Sequence, residues 1–398
     1  MINNTRPYIF WIGILLLLMP GLIHAYLLMP FPGSQDINAI TLCYYLEKII
    51  LPLRILGAAL MLWYFVAYFR RNTLTARIVK LVVMLICLGS YYYTDYTYKA
   101  EIMFKETQKV NFANAIKSRV PHSYLVIGVV HNGVAKAYPI IYLGYHHKMQ
   151  DNIGNKAIMV TYCTMCRTGR VYDPVINGVK QSFRLVGARH YNAIIEDVGT
   201  KTWWYQSTGY AAVGPMKGAH LAEIPYEQLT LGGWLEKYPG SLILQPDNLF
   251  TNDYLDLNNY DRLQAIDRDS IENKDTLYKK SWMIGVIISG QPKAYDWRAM
   301  VKKRVLNDKI NNTNLIVGMQ KDSMNYHVYN ATLNGRQMHF SLTPADMLTD
   351  AETSSIWDWS GNCVAGSQKG QKLGKIQAYQ EYWRSWKQFH PNTLFWKD

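Results

Sequence analysis

Three long apolar stretches open the chain, and a different periodicity follows them. Residues 8–29 are almost wholly apolar, broken by Pro20-Gly21 and His24. Residues 49–69 form a second stretch, with Arg54 near one end where a long side chain can reach the interface. Residues 81–93 form a third, extended by the Tyr91-Tyr92-Tyr93 cluster suited to a headgroup belt. This pattern predicts three transmembrane helices within residues 1–97. Residues 98–122 read as a helical stalk with Phe104, Val110, Phe112 and Ala115 as its apolar positions. Beyond it the pattern is that of short strands. Residues 124–130 and 134–138 flank the turn His131-Asn132-Gly133. Tyr138-Pro139 opens a short helix or turn reaching Asp151, and residues 157–162 form a strand. Residues 170–175 and 179–186 flank Asn177-Gly178, a strong hairpin signal. Residues 192–196 and 202–206 make another hairpin, 209–215 a further strand, and 226–238 a helix ending before Pro239. A helix is also expected over 378–389, with Trp383 and Trp386 on one face.

The strand pattern occurs twice. Lys136-Ala137-Tyr138 recurs as Lys293-Ala294-Tyr295, an offset of 293 − 136 = 157, and Ile127-Gly128-Val129 recurs as Ile284-Gly285-Val286 at the same offset. Asp151, Tyr172, Asn177-Gly178 and Phe183 answer to Asp308, Tyr329, Asn334-Gly335 and Phe340. Asp197, Thr200 and Trp204 answer to Asp350, Thr353 and Trp357 at 350 − 197 = 153. Gly209, Trp234 and Pro239 answer to Gly361, Trp386 and Pro391 at 361 − 209 = 152. A fixed-offset repeat decides architecture. The expected fold is α+β: N-terminal transmembrane helices, then a duplicated, mostly antiparallel β lobe pair related by a pseudo-twofold axis. The segments are 1–97, the stalk 98–122, lobe one 123–245, a polar linker 246–279 draped over the surface, and lobe two 280–398. Trp203, Trp204 and Trp357 are expected in the inter-lobe core.

Composition adds location more than chemistry. With 49% hydrophobic and 13% aromatic residues in 398, the chain is not disordered. The formal charge of +13 comes without a long basic run interleaved with aromatics, so nucleic acid is not an expected partner; the lipid bilayer is. The connection after the second stretch carries Arg70, Arg71, Arg77 and Lys80, which by the positive-inside rule faces the cytoplasm. The protein is thus expected in the cytoplasmic (inner) membrane, multi-pass, with everything after about residue 97 extracytoplasmic. The first stretch also has the makings of a signal peptide, with Arg6 before it and Ala25 near its end, but its poor cleavage site favours an uncleaved anchor.

Lobe one has a cysteine pair that lobe two lacks. Cys163-Thr164-Met165-Cys166 stands where the repeat reads Gln320-Lys321-Asp322-Ser323. The string Ala137-Tyr138-Pro139, His146, Asp151, then Val160-Thr161-Tyr162-Cys163-Thr164-Met165-Cys166-Arg167-Thr168-Gly169 resembles a bacterial family of domain of unknown function 3179. Glu196-Asp197, Trp204 with Gln206, and Gly214-Pro215 to Gly218 continue the likeness. His147 replaces the family's acidic residue and Thr164-Met165 its Pro-Leu. The resemblance covers residues 123–245 well and the second copy loosely. It implies a fold and no particular reaction.

Two thiols three residues apart can exchange with a disulfide, hold a soft metal, or staple a fold. Catalytic candidates are Cys163 and Cys166, with Arg167 beside them to favour the thiolate. As metal ligands the candidates are Cys163, Cys166, His146, His147 and His190, for a copper-like ion or zinc. A periplasmic thiol or metal-handling partner would follow from either. The alternative is a non-catalytic ligand-binding or assembly module in which the pair is a structural disulfide. Taken alone, His146 and His147 read as surface or core-satisfied residues, and Arg189-His190-Tyr191 as a solvated loop. Asp197 and Asp350 read as turn formers, and Cys363 as a buried inert thiol. No Walker loop, G-x-S-x-G or H-E-x-x-H occurs.

Overall fold

The structure, a computed structural model, describes residues 6–258, 260 and 280–396. It contains two compact units. One comprises Met1–Lys105, Gln181–Tyr205 and Tyr210–His220; the other comprises Glu106–Lys180, Gln206–Gly209 and Leu221–Asp398. This division cuts across the segment 123–245 read from the sequence.

In the first unit, helices α1 (Pro7–Leu28), α2 (Ile40–Ala67) and α3 (Leu74–Tyr96) are long and apolar enough to cross a membrane. Their outward side chains, among them Leu51, Ile55, Leu62 and Leu85, are apolar and exposed. Both features suggest membrane association. α2 and α3 start earlier than expected, α2 with the mixed turns 40–48 and α3 with 74–80; Thr73 caps α3 by accepting from Ala76 N. α1 and α2 touch at two glycines. A Cβ on Gly57 would sit 2.8 Å from Gly13 O, so only a bare backbone fits that crossing. Arg54 of α2 pairs with Asp95 of α3 at 2.7 Å, stacks over Tyr91, and reaches Leu17 O of α1. A four-stranded antiparallel sheet completes the unit, in the order Ala211–Val213, Trp203–Tyr205, Asn192–Asp197, Phe183–Arg189. Its Val186, Ile194, Trp203 and Val213 share an apolar cluster with Leu27, Leu28, Ile40 and Tyr44.

In the second unit two sheets have like topology. One has the order Phe112–Ala113, Leu242–Leu244, Val134–Pro139, Leu125–His131, Glu227–Thr230; the other Ala378–Tyr382, Trp282–Ile288, Gln291–Asp296, Leu394–Trp396. In each, a central antiparallel hairpin gains one antiparallel strand on one edge and one parallel strand on the other. Each hairpin turns through Asn132-Gly133 or Ser289-Gly290, both residues left-handed. Two three-stranded sheets, Lys148–Ile153 with Lys156–Cys163 and Thr168–Tyr172, and Val305–Ile310 with Thr313–Met319 and Tyr326–Asn330, are also antiparallel. Mixed helix and mostly antiparallel sheet was the expected class.

Several elements differ from expectation. The helix expected over 226–238 is a strand, Glu227–Thr230, followed by the helix Leu231–Lys237; the one over 378–389 is the strand Ala378–Tyr382 and the helix Trp383–Phe389. Thr230 marks the change, its hydroxyl accepting from Gly233 N, a helix cap that leaves preceding residues extended. The stalk holds one short helix, Ala100–Met103, before residue 106. Asp247 then accepts from Gln108 N and Lys109 N, which ties that non-helical stretch down, and Phe112–Ala113 joins the sheet. The linker is not draped where it is described: Phe250 and Tyr254 are buried core residues, and residues 259 and 261–279 lie outside the described part. Trp203 belongs to the apolar cluster of α1 and α2, and Trp357 to one with Phe340 and Leu348. Neither fills a core between the two halves; that core contains Met283, Tyr379 and Trp386 beside Tyr226 and Trp234. The indoles of Trp203, Trp204 and Trp357 donate instead to Glu196, Asp197 and Asp350. Asp197 and Asp350 also bind the backbone N–H and hydroxyl three residues on, as turn formers should.

Candidate functional site

The cysteine loop links the strands Lys156–Cys163 and Thr168–Tyr172, and Arg167 closes it in a left-handed conformation (φ 55°). Cys163 and Cys166 are both fully buried, and neither is in a disulfide. Cys166 Sγ faces Cys163 O at 3.7 Å. Burial, and then the hydrogen bond from the neighbouring thiol, push the Cys166 thiol well above its ordinary pKa. A thiol in that setting is protonated and unreactive at neutral pH.

Arg167 is engaged elsewhere. Its guanidinium lies 3.5 Å from the centre of the Trp282 ring and donates Nη1 to Tyr260 O at 2.8 Å. The loop's main-chain carbonyls are also engaged. Thr164 O accepts from Tyr260 Oη at 2.7 Å, Met165 O from Arg384 Nη2 at 2.8 Å, and Cys166 O from Tyr382 N at 2.9 Å. Directly after the loop, Arg170 pairs with Glu381 at 3.1 Å and stacks over Tyr379, with both side chains at or below 3% exposure. Burial raises the Glu381 carboxyl above its usual range even with Arg170 beside it. The loop is therefore a joint between the two halves of this unit, closed by residues more than 90 positions away in sequence.

The expected metal donors do not assemble. Among the described residues no three His, Cys, Asp or Glu side chains gather into a set able to hold a metal ion. His146 sits at the end of the helix Ile140–His146, its Nε2 2.6 Å from Tyr254 Oη and its ring against Phe250. His147 is left-handed and bonded to Tyr145 O, and burial pulls its pKa down to about 4. Both are core-satisfied. His190 and Tyr191 form the tip of a tight hairpin in the first unit, both left-handed. Arg189 before them is no solvated loop residue: it is fully buried and donates to Ser34 O at 2.8 Å. Cys363 is buried as expected, and burial raises its pKa.

Sequence reasoning passed over a second place. A cleft of about 330 Å³ is lined by Leu229, Gly233, Glu236 and Lys237 from one half and by Gln320, His327, Asp358, Trp359 and Ser360 from the other. One wall is a ring stack of His327 on Trp359, with centres 5.9 Å apart and planes 28° apart. Gln320 Nε2 meets His327 Nε2 at 3.0 Å, and burial pulls the imidazole down to about 3, so it is neutral. Trp359 Nε1 donates to Asp346 O, which Arg304 braces from beyond through Asp346 Oδ1. Beneath the cleft Asn325 clasps Thr230 from both sides, accepting from its N–H at 2.6 Å and donating to its hydroxyl at 3.0 Å. Beside it, Glu227 lies between Lys237 and Lys375; burial opposes its charge, yet the two cations outweigh burial and pull the carboxyl down to about 2. The available signal was Gln320, which stands at the offset of Cys163 (320 − 163 = 157).

Together these features define a mixed helix-and-sheet protein with three candidate membrane-spanning helices, a closed joint and an open polar cleft. The family model described as Protein of unknown function (DUF3179) matches residues 104–393, and the chain belongs to that family. No curated protein and no solved structure matches the chain.

Proposed function

We propose that the protein is a membrane-anchored binding module, built from a duplicated lobe, that holds a glycan fragment without chemistry in its inter-lobe cleft. Duplication is supported by the fixed sequence offsets and by the like order of the two hairpin-centred sheets. A twofold relation between the lobes is supported by one contact: Gln228 donates to Gln380, its own counterpart at 380 − 228 = 152. Arg70, Arg71, Arg77 and Lys80 favour an orientation with the lobes outside the cytoplasm of the inner membrane.

The observation that carries the binding reading is the open cleft lined from both lobes, set against a cysteine loop buried from solvent. A half-exposed indole with carboxylate, amide and hydroxyl groups around it matches the alternating apolar faces and hydroxyls of a sugar. The burial of both thiols, with Cys166 pushed well above its ordinary pKa, disfavours thiol exchange, and the scattered imidazoles disfavour a copper or zinc site.

The test is a thermal-shift titration of the detergent-solubilised full chain with chitooligosaccharides, run with and without dithiothreitol. The expected result is a rise in Tm that is insensitive to reductant and lost in Trp359→Ala and in the milder Glu236→Gln. No shift with any oligosaccharide, or a shift that disappears on reduction, would overturn the reading.

A further inference from the structure

A second cavity, in the first unit, has a different character. It measures about 430 Å³ and is lined by Tyr44, Glu47, Lys48, Arg184, Glu196 and Lys201, over the buried ring of Trp203. The position of this cavity relative to a bilayer follows from α2. At 28 residues and 1.5 Å per residue that helix is about 42 Å long, against a hydrocarbon core of about 30 Å. Glu47-Lys48 are the charged pair of its first turns, and the longer apolar run starts at Ile49. The cavity therefore lies at the level of lipid headgroups, whichever way the bundle faces.

The same face of α2 continues below it. Tyr44, Lys48, Leu51 and Ile55 are spaced i, i+4, i+7 and i+11, which places them in one column. Leu51 is 66% exposed and Ile55 62%, so an apolar track descends from the mouth of the cavity.

The charges are of both signs. Arg184 is held between Glu47 at 2.6 Å and Glu196 at 2.9 Å, and Lys201 lies 3.7 Å from Glu196. Lys48 Nζ lies over the Tyr44 ring, 3.9 Å from its centre. Lysines at the rim suit a phosphodiester, and carboxylates behind them suit a group that donates hydrogen bonds. A primary ammonium beside a phosphodiester meets both needs. A trimethylammonium does not: it has no N–H for the carboxylates, and Lys48 already occupies the face of Tyr44 that would receive it.

We propose that this cavity is a binding site for the ethanolamine headgroup of a phospholipid, with one acyl chain lying along Leu51 and Ile55. The site goes beyond the cleft reading and rests only on α1 to α3 lying in a bilayer. Alkaline carbonate extraction checks that premise separately: release of the chain from membranes would defeat the bilayer reading itself.

The test is native mass spectrometry of the full chain in detergent, offered dioleoyl phosphatidylethanolamine, phosphatidylcholine and phosphatidylglycerol in equal amounts. Phosphatidylethanolamine should be retained about tenfold over phosphatidylcholine, the effect of one charge-assisted contact. Glu47→Gln should abolish the preference, Lys48→Glu with Lys201→Glu should weaken retention of all three lipids, and Leu51→Asn should weaken retention while leaving the headgroup ranking intact. Soluble glycerophosphoethanolamine should compete weakly and glycerophosphocholine not at all. Equal retention of the three lipids, or a preference for phosphatidylglycerol, overturns the proposal. Competition by the soluble headgroup as strong as by the lipid overturns its lipid half and leaves a free phosphodiester as the ligand.

Discussion

The two joints between the halves of the second unit use positions at matching sequence offsets in opposite ways. Arg170 and Glu381 close one joint; at the matching offsets the other has His327 and Leu229 (327 − 170 = 157; 381 − 229 = 152). A charge pair fills the first, with Tyr379 stacked on it. A neutral imidazole and an aliphatic side chain leave room in the second, where Trp359 forms a wall of the cleft. The loop from Cys163 to Cys166 lies at the closed joint, and Gln320 lines the open one. On the proposed binding reading, the asymmetric residues are two solutions to packing a loop against a partner. The side without cysteine is the side with space.

Breaking the buried pair should have the largest effect. Glu381→Ala leaves Arg170 buried with its nearest counter-charge gone, and should cost about 3–5 kcal/mol in urea unfolding. Arg170→His with Glu381→Leu, which copies the open side, should recover most of that loss. A single variant that costs under about 1 kcal/mol would mean that Arg170 is solvated and the joint is not closed.

Acid should come next. Burial holds His147 at about 4 and His327 at about 3, both below the unfolded value of 6.5. Depressed imidazoles contribute stability that is complete above pH 6.5 and is lost as pH falls toward these values. His147 alone should account for up to about 3 kcal/mol of that loss. Tm measured from pH 7 to pH 4 should fall, and His147→Gln should flatten the profile. A flat profile in the parent protein would show that these rings are hydrated.

A smaller effect tests the likeness of the two hairpin-centred sheets. A Cβ at Gly128 would overlap the Trp234 ring, and one at Gly285 would overlap the Trp386 ring. Gly128→Ala and Gly285→Ala should each cost about 1–3 kcal/mol, and by similar amounts. A large loss at one and none at the other would break the correspondence of the two sheets.

Local pattern revealed much of this fold. Both hairpins, the turn aspartates and the three apolar helices are set by near neighbours, and Asn132-Gly133 forces its turn by itself. Where a strand runs straight into a helix, as at Thr230, alternating and helical spacings overlap in Leu229, Leu231 and Trp234, and the junction was read as helix throughout. The candidate site was less legible. What closes the cysteine loop is Trp282, Tyr382 and Arg384, more than a hundred positions on, and no spacing near the cysteines reports it. His146 is likewise satisfied by Tyr254, in a segment whose polar composition suggested an exposed linker.

The most direct measurement is the alkylation rate of the cysteine pair in a chain in which Cys43, Cys87 and Cys363 are replaced by serine. A buried structural joint predicts that neither Cys163 nor Cys166 reacts at neutral pH in the folded protein, and that both react at the rate of global unfolding in urea. Rapid, stoichiometric alkylation of either thiol in the native chain would contradict it and return the pair to the role of a reactive site.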